Sequence, residues 1–321
     1  GPMSHPVNTR DHGGGIDAAC LRYGGTRNDW VDLSTGINPN PYPVADLAPD
    51  AWTALPDQAA MDRLMRAARQ FWNVPDGAMI VAASGASALI ALMPFLTEQS
   101  SVYIPQPTYN EHEAAFRAQN RPRVDAARDA PVHVHVHPNN PDGRMITPEM
   151  VTAPALSIID ESFCDTCPQN SLVGLAARPD VVVLKSFGKF WGLAGMRLGF
   201  AIARPEIAIR LADMLGPWAV SGPALQIGAE ALEDHDWADQ TRLQLEAAAQ
   251  RLDALMAGHA RRLIGGTSLF RSYEVEDAAA LQARLASAHI WTRIFPYSTT
   301  WIRFGLPASE DHWARLEEAL S

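Results

Sequence analysis

Between residues 79 and 203 the chain alternates short apolar runs with polar turns and stretches of helical period. Met79 to Ala83, Ser101 to Ile104, Val132 to Val136, Leu156 to Ile159, Val181 to Leu184 and Leu198 to Ala203 read as strands. Ala88 to Leu96 and Glu111 to Asn120 read as helices. An earlier helix is predicted over 57–72, where Met61, Leu64, Met65, Ala68 and Phe71 share one face, and Pro75-Asp76-Gly77 stops it. Continuous apolar strands separated by helices predict a mainly parallel sheet covered on both faces, an α/β architecture. The first 45 residues are rich in Gly, Pro and Asn and read as an irregular arm with little helix. From about Pro223 an Ala/Leu/Glu/Arg-rich stretch runs to about Arg262 as one helix or two. Strand-like pieces follow at Ser268 to Tyr273, Trp291 to Phe295 and Thr300 to Phe304, which suggests a smaller α+β domain. The expected organisation is therefore an arm over 1–44 joining the small domain, a large domain over 45–222 and a small C-terminal domain over 223–321.

Composition narrows the functional classes. With 321 residues, 47% of them hydrophobic, the chain can bury a sizeable core. The net charge of -10 argues against nucleic-acid or anionic membrane partners, although a local arginine cluster can still bind an anion. Three cysteines, Cys20, Cys164 and Cys167, point to a reducing compartment, and with no signal-like or transmembrane stretch the expected location is the cytoplasm. Gly1-Pro2 ahead of Met3 reads as a remnant of tag cleavage.

In open parallel sheets ligands bind beyond the carboxyl ends of the strands, so polar residues just after strands carry the chemistry. Gly85-Ala86-Ser87 follows a strand and opens a helix, offering N–H groups and a hydroxyl to an anion. Asn140 sits in a proline-rich turn after the strand at 132–136. Asp160 ends the next strand, Lys189 follows another in Ser186-Phe187-Gly188-Lys189, and Arg197 comes eight residues later. The order phosphate turn, Asn, Asp, Lys, Arg matches the needs of pyridoxal phosphate. These are an anion site, a donor for a phenolate-like oxygen, a carboxylate for a protonated ring nitrogen and an amine for an aldehyde.

The motifs themselves resemble those of the aspartate-aminotransferase-like, fold-type I pyridoxal-phosphate enzymes. Pro138-Asn139-Asn140-Pro141-Asp142-Gly143 is similar to their N-P-x-N-P-T-G turn, and Asp160-Glu161-Ser162-Phe163 to their D-E-A-Y/F. Ser186-Phe187-Gly188-Lys189 is similar to S-x-S/T-K, and Gly192-Leu193-Ala194-Gly195-Met196-Arg197-Leu198-Gly199-Phe200 to G-x-x-G-x-R-x-G-Y. Within that group, His12-Gly13-Gly14, Leu33-Ser34-Thr35-Gly36-Ile37-Asn38-Pro39 and Pro217-Trp218-Ala219-Val220 resemble the threonine-phosphate decarboxylases of cobalamin biosynthesis. Histidinol-phosphate aminotransferases share the same core and supply the alternative activity.

The resemblance implies a homodimer, with Lys189 and Asp160 as catalytic residues and pyridoxal 5'-phosphate held by Gly85, Ala86, Ser87, Tyr109, Asn140, Asp160, Phe163, Ser186, Lys189 and Arg197. It implies a phosphorylated amino-acid substrate met by His12, Ile37, Asn140 and Arg303, with Arg303 on the α-carboxylate and Tyr109 stacked on the cofactor ring. The implied reaction is decarboxylation of L-threonine O-3-phosphate to (R)-1-amino-2-propanol phosphate. The sequence departs from the family at Phe163, where Tyr is usual, and at Ala54-Leu55-Pro56-Asp57, where a Tyr is expected in place of Leu55. His137 and Ala88 also replace a usual Asn and Glu.

Two patterns compete for attention. His133, His135 and His137 alternate with valines and could bind zinc, but read better as a polar strand face near a sheet edge. Cys164-Asp165-Thr166-Cys167 is a C-x-x-C without a second pair, and reads as incidental; no metal is expected.

Overall fold

The computed structural model describes residues 4–98 and 101–321. Residues 1–3, including the Gly1-Pro2 read as a tag remnant, lie outside them. In chain order the elements begin with α1 (Ile16–Tyr23), β1 (Val31–Asp32), α2 (Gln58–Phe71) and β2 (Met79–Ala83). Next come α3 (Ala86–Leu92), β3 (Val102–Tyr103), α4 (Glu111–Ala118), β4 (Arg123–Val124), β5 (Val132–Val136) and β6 (Leu156–Asp160). Then follow β7 (Val181–Ser186), β8 (Gly199–Ala203), α5 (Pro205–Leu215), α6 (Gly222–Glu233) and α7 (His235–Met256). The chain closes with β9 (Arg262–Thr267), β10 (Phe270–Glu274), α8 (Ala278–Ser287), β11 (Ile290–Trp291), β12 (Arg293–Phe295), β13 (Ser298–Phe304) and α9 (Glu310–Leu320).

The larger of two compact units comprises Ile37–Gln250 and Gly265–Leu269. It holds a seven-stranded sheet in the order β2-β8-β7-β6-β5-β3-β4. Strands β7, β6, β5, β3 and β4 pair in parallel, while β8 runs antiparallel to both β7 and β2. Strands β5, β6 and β8 are buried at every position, which fits the predominance of apolar residues in all three. One core cluster joins Val81, Leu89, Val102, Phe116, Val134, Ile158, Leu184 and Ala201.

The smaller unit comprises 1–36, 251–264 and 270–321. It carries the four-stranded sheet β12-β13-β10-β9 and the parallel pair β1-β11. Its N-terminal segment is more ordered than its composition suggested. Helix α1 buries Ile16 and Ala19 in a cluster with Trp30 and Ala286, so an eight-residue helix too short to hold alone is fixed by packing.

The units divide at Gly36/Ile37 and Gln250/Arg251. Helix α6 lies within the larger unit: eight of its twelve residues are buried, and it packs on α2. Helix α5 was not anticipated. It opens with Pro205 in the first turn and buries Ala208 and Leu211.

Candidate functional site

Register brings the candidate residues of the larger unit to one edge of its sheet. Val136 of β5 pairs with Asp160 of β6, Asp160 with Leu184 of β7, and Ser186 with Gly199 of β8, which in turn pairs with Ala83 of β2. The loops that leave β2, β5, β6 and β7, and the one that enters β8, therefore emerge side by side. They carry Gly85-Ala86-Ser87, Asn140, Asp160, Ser186-Lys189 and Arg197.

Asp160 is 2% exposed yet fully engaged. His112 Nε2–H donates to its Oδ2 at 2.7 Å, and the Ser162 amide donates to Oδ1 at 2.9 Å. The Ser162 hydroxyl donates to the same oxygen. Burial by itself would push this carboxyl up. The hydrogen bond and charge of His112, with the two Ser162 donors, outweigh it and hold the group below the usual carboxylate range. The site thus presents a carboxylate that stays ionised although it is buried. His112 escaped the sequence argument, but a signal existed: it lies four residues before buried Phe116, on the inward face of α4.

At the β2 turn, Gly85 has φ +90°, and a Cβ there would sit 2.5 Å from the Arg197 guanidinium. Arg197, itself left-handed at φ 56°, donates to the Ser87 hydroxyl at 3.0 Å and to the Ala194 carbonyl at 3.1 Å. Glycine, hydroxyl and guanidinium form an exposed cationic cradle at the start of α3. Lys189 is half-buried, its Nζ 5.9 Å from the Phe163 ring centre. Its carbonyl accepts from the Asn38 amide at 2.9 Å, while the Asn38 side chain donates to the Phe190 carbonyl at 2.9 Å. Asn38 and the adjacent half-buried Ile37 therefore belong to the lysine loop. Gly188 leaves no room for a side chain, since a Cβ would meet Ala194 Cα at 2.7 Å.

In the proline-rich turn the buried residue is Asn139, not Asn140. Its amide donates to the Pro107 carbonyl and to Asp142 Oδ1, each at 2.9 Å. Arg144 ties the same turn to the carbonyls of Pro105 and Pro107. Asn140 is half-buried beside this scaffold, and Tyr109 packs its ring edge-on to His112 at 5.9 Å. Asn139 and Arg144 were not singled out from sequence, because their role is to hold neighbouring loops together.

His133 and His135 of β5, and His137 just after it, correct an expectation. They are 2%, 7% and 1% exposed and lie inside the sheet, two strands from its β4 edge. A parallel sheet covered on both faces leaves no polar face to water. His133 donates to the carbonyls of Ala127 and Ala130. His135 is pushed down to about 4 by burial and by the charges around it, and stays neutral. His137 lies close enough to Glu161 and Cys164 to suggest a metal cluster. However, its Nδ1 accepts from the Ile146 amide, its Nε2–H donates to the Asn170 carbonyl, and the Lys185 ammonium occupies Glu161 at 2.6 Å. His137 and Glu161 are thus committed to hydrogen bonds and an ion pair.

In the smaller unit Arg303 is 5% exposed and donates to the Ser34 carbonyl at 2.7 Å. Burial, and the neighbouring Arg293 charge, push it down to about 9, so the guanidinium stays charged at neutral pH. Gly13 packs here: a Cβ would stand 2.2 Å from the Ser34 carbonyl and 3.0 Å from Arg303. His12 next to it is exposed, and Asp11 forms a two-point pair with Arg293 at 2.7 Å per bond.

This sheet, with a buried ionised aspartate, a lysine loop and a cationic cradle at its carboxyl edge, is the fold-type I pyridoxal-phosphate enzyme architecture, and the chain belongs to the aminotransferase class I and II family, whose model matches residues 28–320. Within the family it is 41% identical to the threonine-phosphate decarboxylase of Sinorhizobium sp, the match covering 99% of both chains. It is 37% identical to that of Pseudomonas aeruginosa, over 97% of both. Among solved structures, histidinol-phosphate aminotransferase from Sinorhizobium meliloti in complex with pyridoxal-5'-phosphate superposes with a TM-score of 0.78 at 19% identity, covering 99% of this chain and 94% of that one. That likeness describes the fold. No helix among the described residues is long and apolar enough to cross a membrane.

Proposed function

We propose that this protein is a pyridoxal 5'-phosphate-dependent decarboxylase of L-threonine O-3-phosphate. The observation that carries the proposal is the 41% identity to a threonine-phosphate decarboxylase over 99% of both chains. The residues present fit the cofactor. The Gly85–Ser87–Arg197 cradle, whose space a Cβ on Gly85 would invade, suits a phosphate. Asp160, ionised and buried, suits a protonated pyridine nitrogen. Lys189 supplies the amine, Phe163 and Tyr109 the apolar surroundings of a ring, and Asn140 and Ser186 polar groups beside it.

When bound, the cofactor supplies an aldehyde for the substrate amine and a ring that delocalises the electrons left at Cα. Asp160 keeps the proton on the ring nitrogen, and His112 and Ser162 keep Asp160 charged. Arg303 is assigned to the substrate α-carboxylate, which a guanidinium fork can bind at two points. Lys189 Nζ returns a proton to Cα once carbon dioxide has left. His12, Ile37 and Asn140 are assigned to the rest of the substrate. The product is (R)-1-amino-2-propanol phosphate, a step of cobalamin biosynthesis, made by a cytoplasmic homodimer.

The test is incubation with pyridoxal phosphate and L-threonine phosphate in the absence of any 2-oxo acid, measuring carbon dioxide and the amine together. Stoichiometric release that disappears in Lys189→Ala is the expected result. No release, with amino transfer from histidinol phosphate once 2-oxoglutarate is added, would replace this reading with an aminotransferase.

A further inference from the structure

The segment that follows Asp160 contains two thiols that the proposed reaction does not use. Cys164–Thr166 is a single turn of 3-10 helix, closed by the Cys167 amide donating to the Cys164 carbonyl at 3.0 Å. A four-residue turn of this kind brings its end Cα atoms within about 7 Å. Disulfides span Cα separations of about 4.4–6.8 Å. The Cys164 thiol already points across the turn, 3.8 Å from the Cys167 carbonyl. Cys164 is buried and Cys167 half-buried, so a reagent from solvent meets Cys167 first.

The surroundings divide the labour between the two sulfurs. The hydrogen bond from Cys164 holds the Cys167 thiol below its ordinary value, against the effect of burial. Donating that bond, burial and the nearby Glu161 carboxylate all push Cys164 up. An accessible, more acidic thiol beside a buried, less acidic one is the arrangement of an attacking and a resolving cysteine.

We propose that Cys164 and Cys167 form a reversible dithiol–disulfide couple, oxidised by a low-molecular-weight disulfide of the glutathione type, whose closure shifts the segment carrying Asp160 and Phe163. The Cys167 thiolate attacks the small disulfide, forming a mixed disulfide and expelling one thiolate. Cys164 then attacks the Cys167 sulfur and expels the second, its own proton passing to the departing thiolate. Two protein thiols are oxidised and one small disulfide is reduced to two thiols. The turn is tied to the site through short links: the Cys164 amide donates to the Glu161 carbonyl at 3.1 Å, and the Thr166 hydroxyl to the Phe163 carbonyl at 3.0 Å. Drawing the Cys164 sulfur from the Cys167 carbonyl to the Cys167 sulfur strains these links. Disulfides in reducing compartments are mostly transient and redox-sensing, which suits a pair in a three-cysteine chain.

The chemical half of the proposal is independent of the proposed reaction; the shift at the site rests on that reading. Cofactor-loaded protein is treated with oxidised glutathione and followed by intact mass and peptide mapping. The expected result is loss of two hydrogens, mapped to Cys164–Cys167 and reversed by dithiothreitol. Cys164→Ser should instead keep a glutathione adduct on Cys167, and Cys167→Ser should leave Cys164 reduced. Oxidised wild-type protein should also retain several-fold less cofactor on dilution, read by its visible absorbance, with Cys167→Ser insensitive. No mass change, a persistent adduct in wild type, or a bridge to Cys20 overturns the couple. A disulfide with unchanged cofactor retention overturns the shift. Cofactor that binds in neither state defeats the proposed function, while the mass readout still decides the couple.

Discussion

Replacing Lys185 by Met should destabilise the larger unit by about 3–5 kcal/mol, the loss typical of a buried ion pair deprived of one partner. Lys185 Nζ donates to Glu161 Oε1 at 2.6 Å, and both side chains are at most 1% exposed. In the variant Glu161 keeps the Ser171 hydroxyl at 2.6 Å and the Leu172 amide at 2.7 Å, but its charge is left without a counterion. Burial opposes ionisation of both partners. Their mutual attraction, with the buried Asp165 adding to it at the lysine, nevertheless holds Glu161 below 4.5 and Lys185 above 10.5. The sign then follows for each group. A depressed acid contributes stability above its unfolded value, lost as pH falls; a raised base contributes below its unfolded value, lost as pH rises. The difference between wild type and variant is therefore greatest from about pH 4.5 to 10 and shrinks outside it. Urea midpoints read by tryptophan fluorescence suit the measurement, because the Trp72 ring lies 5.7 Å from Lys185 Nζ. The double variant Glu161→Gln, Lys185→Met should recover most of the loss. A single variant within about 1 kcal/mol of wild type, or a double variant no better than the single, would refute the argument.

Two further substitutions probe the site. His112→Leu removes the partner that offsets burial at Asp160, so the acid-side loss of stability, now set by a depressed carboxyl, should move to higher pH; urea midpoints between about pH 3 and 7 report it, and an unchanged profile would exclude His112 as the cause. Gly85→Ala should cost about 1–3 kcal/mol for its φ of +90° with an extended ψ, a region kept for glycine, and displace the Arg197 guanidinium. Affinity for pyridoxal phosphate should then fall by about tenfold or more while affinity for pyridoxal, which lacks the phosphate, changes little; equal losses would remove the cradle from the phosphate.

Much of the larger unit follows from the sequence, because strands covered on both faces are mostly apolar and end where polar chemistry begins. The runs ending near Val136, Asp160 and Ser186 show this, although each also carries buried polar side chains, among them His135, Ser157 and Lys185. The motif order from Gly85 to Arg197 placed the candidate residues on those loops, and the sheet register then set them side by side. Tertiary structure alone decided the rest. Asp160 is legible as a residue type, but its retained charge depends on His112, 48 positions earlier in the chain. The histidines of β5 alternate in a way that fits an exposed face equally well; only coverage of both faces buries them. Helix α1 exists because Trp30 and Ala286 receive it, and α6 belongs to the larger unit because α2 packs on it. Local pattern determines what each segment can form, while partners distant in sequence decide which side chains are desolvated, and hence which charges the protein can keep.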